Sequence, residues 1–159
     1  MTTFYQRDAA GRRRKETRLL VIDDNPDHLQ LIKRTIAQCM PLVTPVFAQS
    51  EAEAVAYLSD CETDTHKIPR LILLDLYLPT RETGWRVLDH IRTRLSILGK
   101  LPVVLLSYST CRSDITEAYD RGCSSYFAKP LNPDAWLTYF DLLRTYWLET
   151  VTLPEATNL

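Results

Sequence analysis

Three runs of aliphatic residues limit what this chain can fold into: Leu19-Leu20-Val21-Ile22, Leu71-Ile72-Leu73-Leu74 and Pro102-Val103-Val104-Leu105-Leu106. Each is too short for a core helix and lacks the alternation of a half-exposed strand, so each reads as a strand buried on both faces. Such strands belong to parallel sheets covered by helices on both sides, and the intervening sequence supplies helical patterns. Pro26 suits a first helical turn with Asp24 or Asn25 as cap, and Leu29, Ile32, Ile36 and Cys39 follow at helical spacing. Pro41 and Pro45 bracket a short second strand around Val43 to Phe47, and Ser50 opens a helix carrying Ala52, Val55 and Leu58 inward. The polar stretch from Asp60 to Pro69 reads as a surface loop. A helix presenting Trp85, Leu88, Ile91 and Leu95 follows the third strand, and a weaker one with Ile115, Ala118 and Tyr119 stops near Gly122. A fifth strand over Ser124 to Ala128 and a last helix from about Pro133 to Glu149 complete five βα units, which predicts right-handed crossovers in one doubly wound α/β sheet.

Ligands of such sheets sit outside the carboxyl ends of the strands. Here the first strand ends in Asp23-Asp24, the third in Asp75, the fourth in Ser107 and the fifth in Lys129. Three carboxylates at one edge repel strongly, since a pair about 4 Å apart costs about 4 kcal/mol at an effective dielectric near 20. Lys129 alone does not offset that, and a hard, oxygen-preferring divalent cation such as Mg²⁺ is the natural partner. The remaining parts suit phosphoryl transfer to a carboxylate, with Asp75 as nucleophile, Lys129 and the cation neutralising charge, and Ser107 donating to a phosphoryl oxygen.

The residues that carry this chemistry stand in VIDDN at 21–25, LLDLYLP at 73–79, PVVLLS at 102–107 and GCSSYFAKP at 122–130. With them the chain closely resembles the receiver domains of response regulators in two-component signalling, over roughly Thr17 to Glu149. The resemblance implies a CheY-like, flavodoxin-like (βα)5 fold with strand order 2-1-3-4-5. It implies that Asp23 and Asp24 are the acidic metal-binding pair and Asp75 both phosphoacceptor and metal ligand, with the backbone carbonyl of Tyr77 as a further ligand. Ser107 falls on the switch hydroxyl, Tyr126 on the switch aromatic and Lys129 on the lysine that precedes proline, whose peptide bond to Pro130 is then cis. The implied donor is a sensor histidine kinase or a histidine phosphotransfer protein. On phosphorylation Ser107 moves toward the phosphoryl group, Tyr126 turns inward, and the face of the fourth helix, fifth strand and fifth helix changes.

Departures from the family pattern carry their own expectations. Tyr108 follows the switch hydroxyl where a small residue is usual, Tyr77 borders the path of the hydrolytic water, and the loop from Asp75 to Gly84 is one residue longer than common. The phosphoryl group is therefore expected to be lost only slowly. The order of segments reads as a basic leader over 1–16, a receiver over 17–149 and a polar tail over 150–159, with output through protein contact. In the last helix Trp136, Phe140, Leu143 and Trp147, or Leu137, Tyr139, Leu142 and Tyr146, can face the sheet, but hardly both sets. Trp136, Tyr139, Phe140, Tyr146 and Trp147 are accordingly interface candidates, for kinase docking or homodimerisation.

The formal net charge of −1 and the lack of an apolar leader or membrane-length run point away from nucleic acid, membranes and export, and toward the cytoplasm. Arg12, Arg13, Arg14 and Lys15 read as a solvated cluster, and four scattered cysteines as reduced thiols. His28, His66 and His90 fit no metal or catalytic spacing and read as surface residues. Two rival readings differ in class. A haloacid-dehalogenase-like phosphatase needs a second Asp where Tyr77 stands, and a degenerate receiver serving only as an interaction module would not need the intact set of Asp24, Asp75, Ser107 and Lys129.

Overall fold

The computed structural model describes residues 16–154. Five strands, β1 (Thr17–Ile22), β2 (Val43–Ala48), β3 (Leu71–Asp75), β4 (Val103–Ser107) and β5 (Ser125–Ala128), form one parallel sheet in the order β2-β1-β3-β4-β5. This is the doubly wound order expected from the sequence. Helices α1 (Pro26–Cys39), α2 (Glu51–Thr63), α3 (Arg81–Arg92), α4 (Arg112–Asp120) and α5 (Pro133–Leu143) make the crossovers.

Alternation along the strands divides the core between the two faces. Leu19, Val21, Leu71, Leu73, Val104 and Leu106 pack with α1 and α5 through Ile32, Ile36, Trp136 and Phe140. Leu20, Ile22, Ile72, Leu74, Val103 and Leu105 pack on the other face with Leu58 of α2, Trp85, Leu88 and Ile91 of α3 and Ala118 of α4. Every residue of β3 and β4 is buried, which is why these strands read as unbroken apolar runs. β2 lies at the edge of the sheet, where Pro45 is tolerated because a missing N–H costs no ladder bond on the open side.

Several sequence expectations are corrected. Helix α2 continues to Thr63 and buries Ala54, Leu58 and Cys61, so the stripe lies one step round from Ala52 and the loop is shorter than Asp60 to Pro69. Leu95 lies beyond the end of α3 and is fully exposed. The last helix changes to a π-helical stretch at Arg144–Thr150. Trp136, Tyr139, Phe140 and Leu143 are all buried against the sheet, because the ring of Tyr139 fits between Phe127 and Trp136 at centroid distances of 4.4 and 6.3 Å. Trp136, Tyr139 and Phe140 are therefore core residues rather than interface candidates, leaving Tyr146 and Leu142 exposed and Trp147 half-buried. The expected leader, apart from Glu16, and the end of the tail lie outside the described residues. Among the described residues no helix is long and apolar enough to cross a membrane, and the four cysteines are free thiols.

The loop after β3 is held by a close approach. A Cβ on Gly84 would lie 1.9 Å from the carbonyl oxygen of Leu76, so the first turn of α3 meets the backbone that follows Asp75 without room for any side chain. Helix propensity favours alanine over glycine by about 1 kcal/mol. Overpacking against rigid backbone costs about 3 kcal/mol and outweighs it. Gly84→Ala is thus expected to lower stability by about 2 kcal/mol, read as a lower urea midpoint; a midpoint equal to or above wild type would show that the loop yields freely.

Candidate functional site

The carboxyl edge of the sheet is built by extending each ladder one residue past the strand. Asp23 N–H donates to Ala48 O at 3.1 Å, Leu76 N–H to Leu106 O at 3.1 Å, and Lys129 N–H to Ser107 O at 2.7 Å. These bonds pin the backbone beside Asp23, Asp75 and Lys129, so strand register decides which side chains meet. The three meet closely. Lys129 Nζ lies 3.0 Å from Asp23 Oδ2 and 3.1 Å from Asp75 Oδ2, with Asp23, Asp75 and Lys129 all buried. The second oxygen of each carboxylate is held locally: Asp23 Oδ1 accepts from Asn25 N–H at 2.9 Å, and Asp75 Oδ1 from Tyr77 N–H at 3.2 Å.

Lys129 reaches both carboxylates through a trans peptide to Pro130, which corrects the cis bond that the resemblance implied. The cis bond among the described residues is Leu78–Pro79. With the trans bond, which X–Pro peptides prefer by about 0.5–1 kcal/mol, Lys129 N–H still continues the β5 ladder and its ammonium still reaches both carboxylates.

An open groove of about 900 Å³ leads down to these residues, lined by Asp24, Asn25, Pro26, Asp27, His28, Asp75, Tyr77, Pro79, Tyr108, Ser109 and Lys129. Tyr108 lines the groove rather than filling it, with its ring half in solvent and 5.4 Å from Lys129 Nζ. His28, which the sequence reading left on the surface, stands inside. Its Nδ1 is 3.1 Å from Lys129 Nζ and 3.3 Å from Asp23 Oδ2, and its Nε2 is 3.3 Å from the Tyr108 hydroxyl. The signal that would have found it is position: it falls in the first turn of α1, beside the end of β1, with Asn25 Oδ1 capping its N–H. His66 is exposed and His90 half-buried beside Arg94, both on other parts of the surface.

Ser107 is buried and its Oγ accepts from Ser109 N–H at 3.0 Å. Ser109 also accepts at its carbonyl from the Tyr126 hydroxyl at 2.7 Å and donates from Oγ to Asp114 Oδ2 at 2.6 Å. One serine therefore joins the expected switch hydroxyl, the expected switch aromatic and the first turn of α4. Tyr126 is already half-buried against the core in this arrangement. Asp114, which the sequence reading missed, is buried and further receives Tyr77 OH at 3.0 Å and an Arg81 guanidinium N–H at 2.9 Å. Burial pushes its carboxyl up, but the hydrogen bonds from Ser109, Arg81 and Tyr77 hold it below the ordinary range.

Burial raises the Asp75 carboxyl to about 6, with Lys129 pulling down and Asp23 pushing up. One ammonium thus leaves the buried carboxylates short of positive charge. A divalent cation fits that deficit, and Asp23, His28 and Asp75 offer ligand atoms within 4.8 Å of one another, with Asp24 on the groove wall outside that group. Hard carboxylate oxygens suit Mg²⁺ or Mn²⁺. The edge of the sheet can therefore hold a cation beside a nucleophilic carboxylate, with an ammonium and a hydroxyl close by.

Because the folded-state value of about 6 lies above the ordinary 3.8, the folded protein holds the Asp75 proton more tightly than the unfolded chain does. Stability contributed by that proton is present below pH 4 and is lost as pH rises through 6. In metal-free buffer Asp75→Asn should be more stable than wild type above pH 6, by up to about 3 kcal/mol, with the gap closing toward pH 4. A gap that stays constant between pH 4.5 and 8 in thermal melts would contradict this.

Comparison with known proteins agrees with the geometry. The model of the response regulator receiver domain matches residues 19–141. The "Probable methanogenesis regulatory protein FilR2" of Methanothrix harundinacea is 32% identical over 130 residues, covering 82% of this chain and 83% of its own. Response regulator Rcp1 of Synechocystis sp. is 29% identical over 139 residues, covering 87% of this chain and 93% of its own. The crystal structure of the phosphorylated cyanobacterial phytochrome response regulator RcpA matches with a TM-score of 0.78 at 32% identity, covering 88% of this chain and 99% of that one.

Proposed function

The chain belongs to the response regulator receiver family, and from that premise we propose that Asp75 accepts a phosphoryl group from the phosphohistidine of a sensor histidine kinase or histidine phosphotransfer protein. The observation that carries this reading is the Asp75 carboxylate at the foot of an open groove, 3.1 Å from the buried Lys129 ammonium. A carboxylate oxygen forms the new bond to phosphorus as the phosphorus–nitrogen bond of the donor breaks, the nitrogen keeping the electron pair. Lys129 neutralises charge on the transferring group, and Ser107 donates to one of its oxygens after giving up the Ser109 amide. A divalent cation, Mg²⁺ in this reading, supplies positive charge to the phosphoryl oxygens when bound, with Asp23, Asp24, Asp75 and the Tyr77 carbonyl as its holders.

A turn of Ser107 toward the phosphoryl group would draw its Oγ away from Ser109 N–H. Its movement would loosen Ser109, and with it both the Tyr126 hydroxyl and the first turn of α4. The signal then appears on the face of α4, β5 and α5, where Tyr119, Leu142 and Tyr146 are exposed. A protein partner reading that face is the proposed output, in the cytoplasm. Homodimerisation through α5 and the π-helical stretch after it would have Leu142, Tyr146 and Trp147 as its large apolar groups from the expected set, since Trp136, Tyr139 and Phe140 are buried.

In this reading Tyr77 slows hydrolysis. Its hydroxyl is tied to Asp114, which holds the half-exposed ring at the groove wall two residues from Asp75. Incubation with acetyl phosphate and Mg²⁺ should add one phosphoryl mass to wild type, and none to Asp75→Asn or in the presence of EDTA. After removal of donor, Tyr77→Ala should lose the group several-fold faster than wild type. No mass gain from acetyl phosphate or a phosphohistidine donor would favour a phosphorylation-independent interaction module, and equal decay rates would remove Tyr77 from the explanation.

A further inference from the structure

We propose that His28 is a protein ligand of the cation in this groove, and that it turns the site toward imidazole-accepting transition ions (Mn²⁺, Co²⁺, Ni²⁺, Zn²⁺) over Mg²⁺. The inference rests on the reading of the groove as a divalent cation site. Asp23, His28 and Asp75 bring two oxygens and one nitrogen within 4.8 Å of one another. A cationic group already stands among them: the Lys129 ammonium is 3.0 Å from Asp23 Oδ2, 3.1 Å from Asp75 Oδ2 and 3.1 Å from His28 Nδ1. Those three atoms thus converge on a single point that positive charge favours.

The imidazole is set up as a ligand. Nδ1 lies 3.1 Å from the Lys129 ammonium, a donor, and 3.3 Å from Asp23 Oδ2, an acceptor, so it is the ring nitrogen that a cation at this point would meet. With a cation on Nδ1 the ring proton would sit on Nε2, which lies 3.3 Å from the Tyr108 hydroxyl, and the two rings meet edge to face at 5.7 Å. An outer partner on the second ring nitrogen is what fixes the tautomer and orientation of metal-bound histidines. The backbone adds to this, since Asn25 Oδ1 accepts from both Asp27 and His28 N–H at the start of α1. The departure at Tyr108 thereby gains a role. Its side chain supports His28 instead of obstructing Asp75.

Mg²⁺ prefers oxygen ligands and gives up water reluctantly, whereas imidazole suits the later first-row ions. A cation held by Asp23 and His28 would also take the place of Lys129 at those two residues, leaving the ammonium its contact with Asp75. Metal binding would then free Lys129 from Asp23 and His28 while it keeps its contact with Asp75.

The test is Mn²⁺ binding to the intact chain, measured by loss of the free-ion electron paramagnetic resonance signal, with Mg²⁺ as competitor. Wild type should bind Mn²⁺ at least about tenfold more tightly than Mg²⁺ and show ¹⁴N coupling to the bound ion in spin-echo modulation. His28→Gln should lose that coupling and about tenfold in Mn²⁺ affinity, while its Mg²⁺ affinity changes less than about twofold. Mn²⁺ bound to wild type without ¹⁴N coupling, or an unchanged Mn²⁺ to Mg²⁺ ratio in the variant, would overturn the role of His28 and leave an oxygen-only site. Failure of wild type to bind either ion would overturn the cation site itself and this inference with it. The wild-type coupling decides the matter even if the variant folds poorly.

Discussion

The Lys129 ammonium stands between two buried carboxylates that come from strands on the same side of it in the sheet order, and the rest of the site is arranged around that contact. Asp23 and Asp75 repel each other, and burial deepens the repulsion by removing water. Lys129 offsets part of it, while burial above all, with Asp23 adding, holds the Asp75 carboxyl above its ordinary value. A protein selected for stability alone would replace such a cluster with apolar residues of similar volume. Its presence at the end of a well-packed sheet marks a place where unbalanced charge is put to use, and the use proposed above is to attract a cation and a phosphoryl group.

The sheet makes that imbalance tolerable by rigidity. β1 and β3 are fully buried at their carboxyl ends, and the ladder bonds of Asp23, Leu76 and Lys129 continue beyond the strands. The backbones that carry these charges therefore cannot separate without breaking hydrogen bonds. Ser107 and Ser109 are the softer part. They belong to the end of β4 and the loop after it, and a chain of hydrogen bonds runs from them to Tyr126 on one side and to Asp114, Arg81 and Tyr77 on the other. A change at Asp75, the proposed phosphoacceptor, would have a hydrogen-bonded route to α4 through Ser107, Ser109 and Asp114, while the sheet stays fixed.

The strands and the residues at their ends were legible because burial on both faces demands an unbroken apolar run, and such a run ends visibly where the first polar residue appears. Leu74 to Asp75 and Leu106 to Ser107 are two such points. The helices were less legible, since a wide aromatic face can be absorbed by a curved sheet surface. Tyr139 fits beside Phe127, so an expected exposed stripe became core. Contacts made by side chains reaching across from helix turns and loops left least trace. His28 and Asp114 look like ordinary helix-start residues in the sequence, and only the fold brings one to Lys129 and the other to Tyr77. The trans peptide before Pro130 belongs to the same class, because a family pattern in the sequence does not report the local backbone path.

The most direct test of Asp75 as the group this arrangement serves is ¹⁹F magnetic resonance with beryllofluoride, which occupies the place of a phosphoryl group on a carboxylate without a donor's specificity. Wild type with a divalent cation should show bound fluoride resonances in slow exchange, and Asp75→Asn should show none. The same bound resonances in the Asn variant, or their absence from folded, cation-loaded wild type, would contradict the assignment of Asp75 as phosphoacceptor.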